Sequence, residues 1–253
     1  MDQPAERIEL PKELREVSGL AWWDKDHIAM VQDEQGDLFV YDISRKKMIH
    51  DKDFGKRGDH EGVASDGEQL YIVRSDGRIY RTQGVSGKDV EHWDTPLKAQ
   101  NDVEGICWDP VRQRLLLACK ADPGAGLDPK NQRAVYAFDP ASGEMDDAPV
   151  LVLALDSIAP ALARRGQRSV GFHFAPSAIA IHPGTGQVWV LSAKDPMIVV
   201  VDATARVIDA THLDPLLFPQ PEGLTFDPDG SLYISSEDKG HGRLLVFQHR
   251  TAR

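Results

Sequence analysis

Along most of this chain, apolar positions alternate with polar ones in short β-branched and aromatic runs, and turns of Asp, Pro and Gly separate the runs. Residues 27–33, 69–74, 114–120, 187–192 and 232–236 are such runs, and a period of two predicts strands with one buried face. Each follows one recurring phrase. It reads Ser18-Gly19-Leu20-Ala21, Glu61-Gly62-Val63-Ala64, Glu104-Gly105-Ile106-Cys107, Ser177-Ala178-Ile179-Ala180 and Glu222-Gly223-Leu224-Thr225. A small antiparallel sheet repeated about every 40 to 45 residues is the signature of a β-propeller.

The repeats predict an all-β chain forming one domain over 1–253, a five-bladed β-propeller with blades near 17–55, 61–95, 104–155, 177–213 and 222–250. Blade five is one strand short. Residues 6–10 alternate polar with apolar, so the N-terminal strand is expected to complete the last sheet and close the ring without an exposed edge. Between the third and fourth phrases lie about 73 residues, against about 43 elsewhere. The surplus, 156–176, is expected to be a short helical insertion after blade three, ending at Gly166. Six blades is the alternative if the insertion hides strands.

Composition narrows the partners. A net charge of −11 opposes nucleic acid, whose phosphates demand a basic surface, but suits a cation. No apolar run reaches membrane-spanning length, and the first residues carry no apolar leader core. Localisation is therefore left open by the chain, and ring closure gives no reason to expect more than a monomer. The two cysteines lie on adjoining strands of blade three. Pairing Trp108 with Leu115 would set Cys119 opposite Glu104 and point the thiols to opposite faces, so both are read as buried small hydrophobes.

The candidate site follows from ring geometry. The start of each inner strand and the end of the next lie on the same rim, because the two run antiparallel. That rim gathers Glu61, Glu104 and Glu222 with Asp33, Asp76 and Glu237, interrupted by Arg74, Lys120 and Lys194, while Ser18 and Ser177 stand at the equivalent serine positions. Carboxylates converging on a narrow axis repel one another strongly and need a positive partner. A hard cation such as Ca²⁺ is one answer, with Glu61, Glu104, Glu222, Glu237 and Asp33 as its candidate ligands. An ion network with the three bases is the other.

Other chemistry is weaker. Asp227-Pro228-Asp229-Gly230 reads as a turn, since it lacks the distal acids of a calcium loop; Asp109-Pro110 and His182-Pro183 hold the same blade position. His60 beside Glu61 is a candidate base but more often such a histidine is structural. Phe172-His173-Phe174 and Arg164-Arg165, in the insertion, either cover the mouth or cap strand ends. No nucleophile elbow, phosphate loop or dinucleotide fingerprint is present.

Asp59-His60-Glu61-Gly62, Asp102-Val103-Glu104-Gly105, Gln220-Pro221-Glu222-Gly223 and the run from Leu232 to Glu237, with Val17-Ser18-Gly19-Leu20, resemble the SdiA-regulated (YjiK/CarP-like) β-propeller family. The resemblance implies a bacterial propeller, often periplasmic or envelope-associated, with calcium-linked behaviour and no established reaction. It matches Glu61, Glu104, Glu222 and Glu237 to recurring acidic positions. Departures are the missing N-terminal anchor, the bases at three rim positions and the insertion. Three function classes follow. The leading one is a non-enzymatic binding or sensing module taking a cation or small ligand at the acidic mouth. A metal-dependent hydrolase of lactonase or phytase type, with Asp76 or Glu237 as base, is the second; a protein-interaction platform is the third.

Overall fold

In the computed structural model, which describes residues 3–238 and 240–249, five antiparallel sheets, four of four strands and one of five, surround one axis. The side chain of Asp238, residues 1, 2 and 239, and the tail from 250, where the expected fifth blade ends, lie outside the described part. The inner strands are Val17–Asp24, His60–Ser65, Val103–Asp109, Pro176–Ile181 and Gln220–Phe226. Blade one continues through His27–Gln32, Asp37–Asp42 and Lys47–Asp53; blade two through Gln69–Arg74, Arg78–Gln83 and Glu91–Asp94. Val188–Ser192, Met197–Val201 and Val207–His212 complete blade four.

Blade five takes Leu232–Asp238 and His241–Phe247 from the C-terminal end, and Glu6–Glu9 from the N-terminal end as its outer strand. Ile8 pairs with Leu244 and Arg7 with Leu245, so the ring is closed by hydrogen bonds between the two ends of the chain. In blade three, Arg114–Cys119 and Gln132–Asp139 are followed by an outer strand in two pieces, Glu144–Met145 and Leu151–Ala154, both paired to Gln132–Asp139.

The insertion holds a 3-10 turn, Leu155–Ser157, and the helix Ile158–Arg164, with Gly166 at a positive φ of 66° ending it. Among the described residues it contains no strand, so the blade count is five. Ile158, Leu162 and Phe174 are buried in one apolar cluster with Leu153 of blade three and Val199 of blade four, so the insertion packs between the two blades. Arg165 Nε donates to Asp209 Oδ1 at 2.8 Å and Arg164 to the Ile208 carbonyl at 3.0 Å. The helix therefore packs along the outer strand of blade four.

One irregularity recurs in every blade. The register of inner strand to second strand slips between Val17 and Gly19, His60 and Gly62, Val103 and Gly105, Pro176 and Ala178, and Pro221 and Gly223. Each slip is a β-bulge whose extra residue is Ser18, Glu61, Glu104, Ser177 or Glu222. This displaces one expected pairing. Trp108 does face Leu115, but Cys119 lies opposite Val103 rather than Glu104, because Glu104 is the unpaired bulge residue. The thiols are free and buried in different clusters, Cys107 with Ile179 and Cys119 with Tyr136.

The residue after each bulge meets the neighbouring blade. A Cβ on Gly19 would stand 2.7 Å from Gly62 Cα; on Gly62, 2.8 Å from the Glu104 carbonyl; on Gly105, 3.0 Å from Ile179 Cγ2; on Gly223, 2.6 Å from Leu20 Cγ. The four contacts run head to tail around the ring. We expect Gly62→Ala to cost about 1 to 3 kcal/mol through overpacking against backbone, and to lower the melting temperature by several degrees. Gly55→Ala, whose Cβ would meet nothing nearer than Tyr80 at 3.9 Å, should stay within about 0.5 kcal/mol. Equal melting curves for the two variants would refute the role given to the ring.

Candidate functional site

Beyond the bulge, each inner strand resumes its alternation, so three storeys of side chains face the axis. Ser18, Glu61, Glu104, Ser177 and Glu222 form the first, and line a central void of about 10 Å³, room for about one water. Leu20, Val63, Ile106, Ile179 and Leu224 form the second. Each is at most 4% exposed, and together they plug the channel. Trp22, Ser65, Trp108, Ile181 and Phe226 line the opposite mouth.

The first storey is an acidic cluster in a poorly solvated place. Burial is the main cause that raises the pKa of Glu61, to about 10; the neighbouring charges of Glu104, Asp59 and Glu222, and a hydrogen bond with Asp59, add to it. Glu104 is raised by burial and by Glu222, against the opposing pull of Lys120. Glu222 is raised by burial too, with Asp33 adding and Lys120 and the Gln220 side chain opposing. Glu237 rises to about 7 through burial, Glu222, Asp33 and Glu16. Asp33 is raised by burial, Glu16, Glu34 and Asp59, and its Oδ1 is buried with no hydrogen-bond partner among the described residues.

The three bases meet different fates. Lys120 forms an ion pair with Glu104, its ammonium also feeling Glu222 and Asp102; its own pKa is lowered by burial but raised overall by these acids. Arg74 turns away from the axis and grips Asp76, with Nε to Oδ1 at 2.9 Å, and reaches the Tyr80 hydroxyl at 3.3 Å. That contact holds the Asp76 carboxyl below its ordinary range. Lys194 is exposed. Asp195 beside it is taken by Arg168 of the insertion at 2.6 Å, and accepts the His173 N–H at 3.1 Å. Hence only Lys120 among the expected bases acts on the axial acids. Ser177 Oγ donates to the Pro221 carbonyl at 2.8 Å, tying blade four to blade five, and Ser18 Oγ donates to the Glu16 carbonyl at 3.3 Å.

His60 is fully buried, its ring 5.0 Å from Phe54 and 5.6 Å from Tyr80, with burial and Arg74 lowering its pKa. It lies beneath the rim, and neither ring nitrogen has a hydrogen-bond partner among the described residues. Asp227 forms the turn expected of it, accepting the Gly230 N–H with its carbonyl at 3.0 Å and the Ser231 N–H with its Oδ1 at 2.7 Å. Glu16, Asp59 and Asp102 join the cluster although the rim reading passed over them. Their signal is simple: each lies two residues before a first-storey position, in the segment that leads into an inner strand.

The donors here are carboxylates and hydroxyls, the hard oxygens that Ca²⁺ takes. Among the described residues no group of three His, Cys, Asp or Glu side chains stands together to hold a metal ion, and Glu104 is paired with Lys120.

The pKa shifts fix a pH dependence. Glu61 and Glu237 hold protons in the folded chain at pH values where the unfolded chain has lost them, so stability is full below about pH 4.5 and falls as pH rises through 7 towards 10. Glu61 costs up to about 1.4 kcal/mol per pH unit in that window, and Glu237, nearer to solvent and done titrating at lower pH, costs less. Glu61→Gln, which keeps the shape and removes the charge, should flatten the decline in melting temperature between pH 6 and 9. Parallel curves for wild type and variant would show that Glu61 is ionised throughout.

Comparison with known proteins agrees on the fold and is sparing on function. The SdiA-regulated family model matches residues 166–239, the stretch holding blade four and the start of blade five, in accord with the resemblance read from the repeat phrases. No curated protein matches the chain. Among solved structures, the glutaminyl cyclase of Myxococcus xanthus is similar at a TM-score of 0.62 and 15% identity, with 97% of this chain and 95% of that one covered. A luciferin-regenerating enzyme aligns at a TM-score of 0.55 and 14% identity over 96% of this chain and 95% of that one. A nidogen/laminin complex aligns at 0.53 and 15%, over 87% and 72%. Identities this low speak for the shared propeller alone. Among the described residues, no helix is long and apolar enough to cross a membrane.

Proposed function

We propose that this chain is a binding propeller whose acidic mouth takes a small cation in exchange for protons. One observation carries the reading: the carboxyls of Glu61, Glu104, Glu222, Glu237 and Asp33 act on one another at the head of the axis, and of the expected bases only Lys120 opposes them. Groups forced to keep protons by burial and mutual repulsion release them when a positive charge arrives, so the ligand competes with H⁺. Lys120 itself models the fit. Its ammonium sits against Glu104 with Glu222 and Asp102 nearby, which is how an incoming ammonium would sit against Glu61, Glu222 and Glu237. Ca²⁺ would first have to draw Glu104 away from Lys120 and gather further oxygens, so an organic ammonium needs less rearrangement.

The groups outside the acidic cluster favour binding over turnover. Asp76, a candidate base, is committed to Arg74, and both thiols are buried with their pKa values pushed upward, that of Cys119 to about 12.

Calorimetric titration with 1,4-diaminobutane, and separately with calcium chloride, at pH 6 and pH 8.5 tests the reading. Expected is saturable binding that strengthens with pH, by up to about tenfold per unit for one proton released, and that Glu61→Gln and Glu222→Gln weaken. Absence of heat and of any rise in melting temperature with both cations at both pH values would end it.

A further inference from the structure

The opposite mouth of the channel has a chemistry of its own. It is a funnel of about 260 Å³, floored by the aliphatic plug and walled by the third storey. Not one of its 20 lining residues is Asp, Glu, Lys or Arg, in a chain where 27% are. His182, one of the lining residues, is pushed towards its neutral form by burial and by His249. Such a concentration of uncharged surface in a concave place is unusual on an otherwise highly charged protein.

Three aromatic rings stand among its mostly aliphatic walls. Trp22 packs on Tyr233 of blade five at 5.4 Å, Trp108 stacks on Tyr71 of blade two at 6.0 Å, and Phe226 meets Trp189 of blade four edge-on at 5.3 Å. Each ring from an inner strand thus leans on the preceding blade, and its free face borders the funnel. A cavity of about 150 Å³ lined by apolar side chains suffices to bind benzene, so this one has room for a second ring. Two hydroxyls supply direction. Ser65 Oγ accepts the Gly67 N–H at 3.0 Å and Thr225 Oγ1 accepts the Trp22 N–H at 3.1 Å, which leaves each hydroxyl proton for a ligand acceptor. Val111, 84% exposed, stands on the lip.

We propose that this second mouth is a binding site for an uncharged aromatic compound of one or two rings carrying a hydrogen-bond acceptor. It is separate from the acidic mouth, and the plug of Leu20, Val63, Ile106, Ile179 and Leu224 divides them. The three aromatic rings supply area and ring contacts, the lack of charge excludes ions, and the Ser65 and Thr225 protons orient a carbonyl or ether oxygen.

The neutral, polarity-sensitive fluorophore 6-propionyl-2-dimethylaminonaphthalene has two fused rings and a ketone, and serves as the probe. Titration into the intact protein should give saturable blue-shifted emission at one equivalent. Val111→Asp on the exposed lip, and Ser65→Asp within the wall, should each weaken binding about tenfold or more by bringing a carboxylate against the rings. Leu216→Asp, which removes an equally exposed apolar side chain elsewhere, should leave binding unchanged. Melting curves establish that each variant is folded, and the surface position of Val111 keeps the test intact should Ser65→Asp unfold. No saturable emission change, unaltered affinity in folded Val111→Asp, or an equal loss in Leu216→Asp would each overturn the proposal.

Discussion

Five inner strands can crowd one axis only where the point of closest approach carries almost no side chain. Gly19, Gly62, Gly105 and Gly223, with Ala178 in the fifth place, meet that constraint, and each of the four glycines lies against backbone or side-chain atoms of the next blade. The bulge beside each of them is the same constraint seen from the other side. Pressing the strands together leaves one residue per blade without a ladder partner, and that residue is the one turned to the axis. Which residue of each blade is turned to the axis is thus tied to this steric fact.

The axis sorts chemistry by height. Two residues along an extended strand separate the storeys, so the short phrase of bulge residue, small residue and aliphatic residue encodes both an acid-lined head and an apolar waist. Carboxylates so near hydrocarbon cannot all ionise, and the raised pKa values of Glu61 and Glu237 express that proximity. The family match and the structural similarities concern the scaffold; the distribution of charge over it belongs to this chain's own side chains.

Much of this architecture was legible in the sequence because it rests on local rules. A period of two, punctuated by Asp, Pro and Gly, marks strands; the missing fourth strand of the last blade points to residues 6–10; a Gly after an Ala- and Leu-rich run marks the end of the helix. What escaped was non-local or a matter of one residue. The bulge has no composition of its own, so Cys119 was set opposite Glu104 instead of Val103. Arg74 and Lys120 each have an acid two residues on, yet part company, because the register sets Arg74 opposite His60 whereas Cys119, not Lys120, stands opposite Val103. The planar guanidinium closes on Asp76 as a fork, while Asp122 serves the Gly124 N–H and the lysine reaches Glu104. Capture of Asp195 by Arg168 depends on how the insertion folds back, which no nearby pattern records.

The sealed waist makes each end of the axis a cul-de-sac. A molecule that enters one vestibule leaves by the same doorway, and no file of waters can carry charge from one side to the other through a layer of hydrocarbon. Occupancy at one end can inform the other only by mechanical means, through small displacements of the five strands that both share.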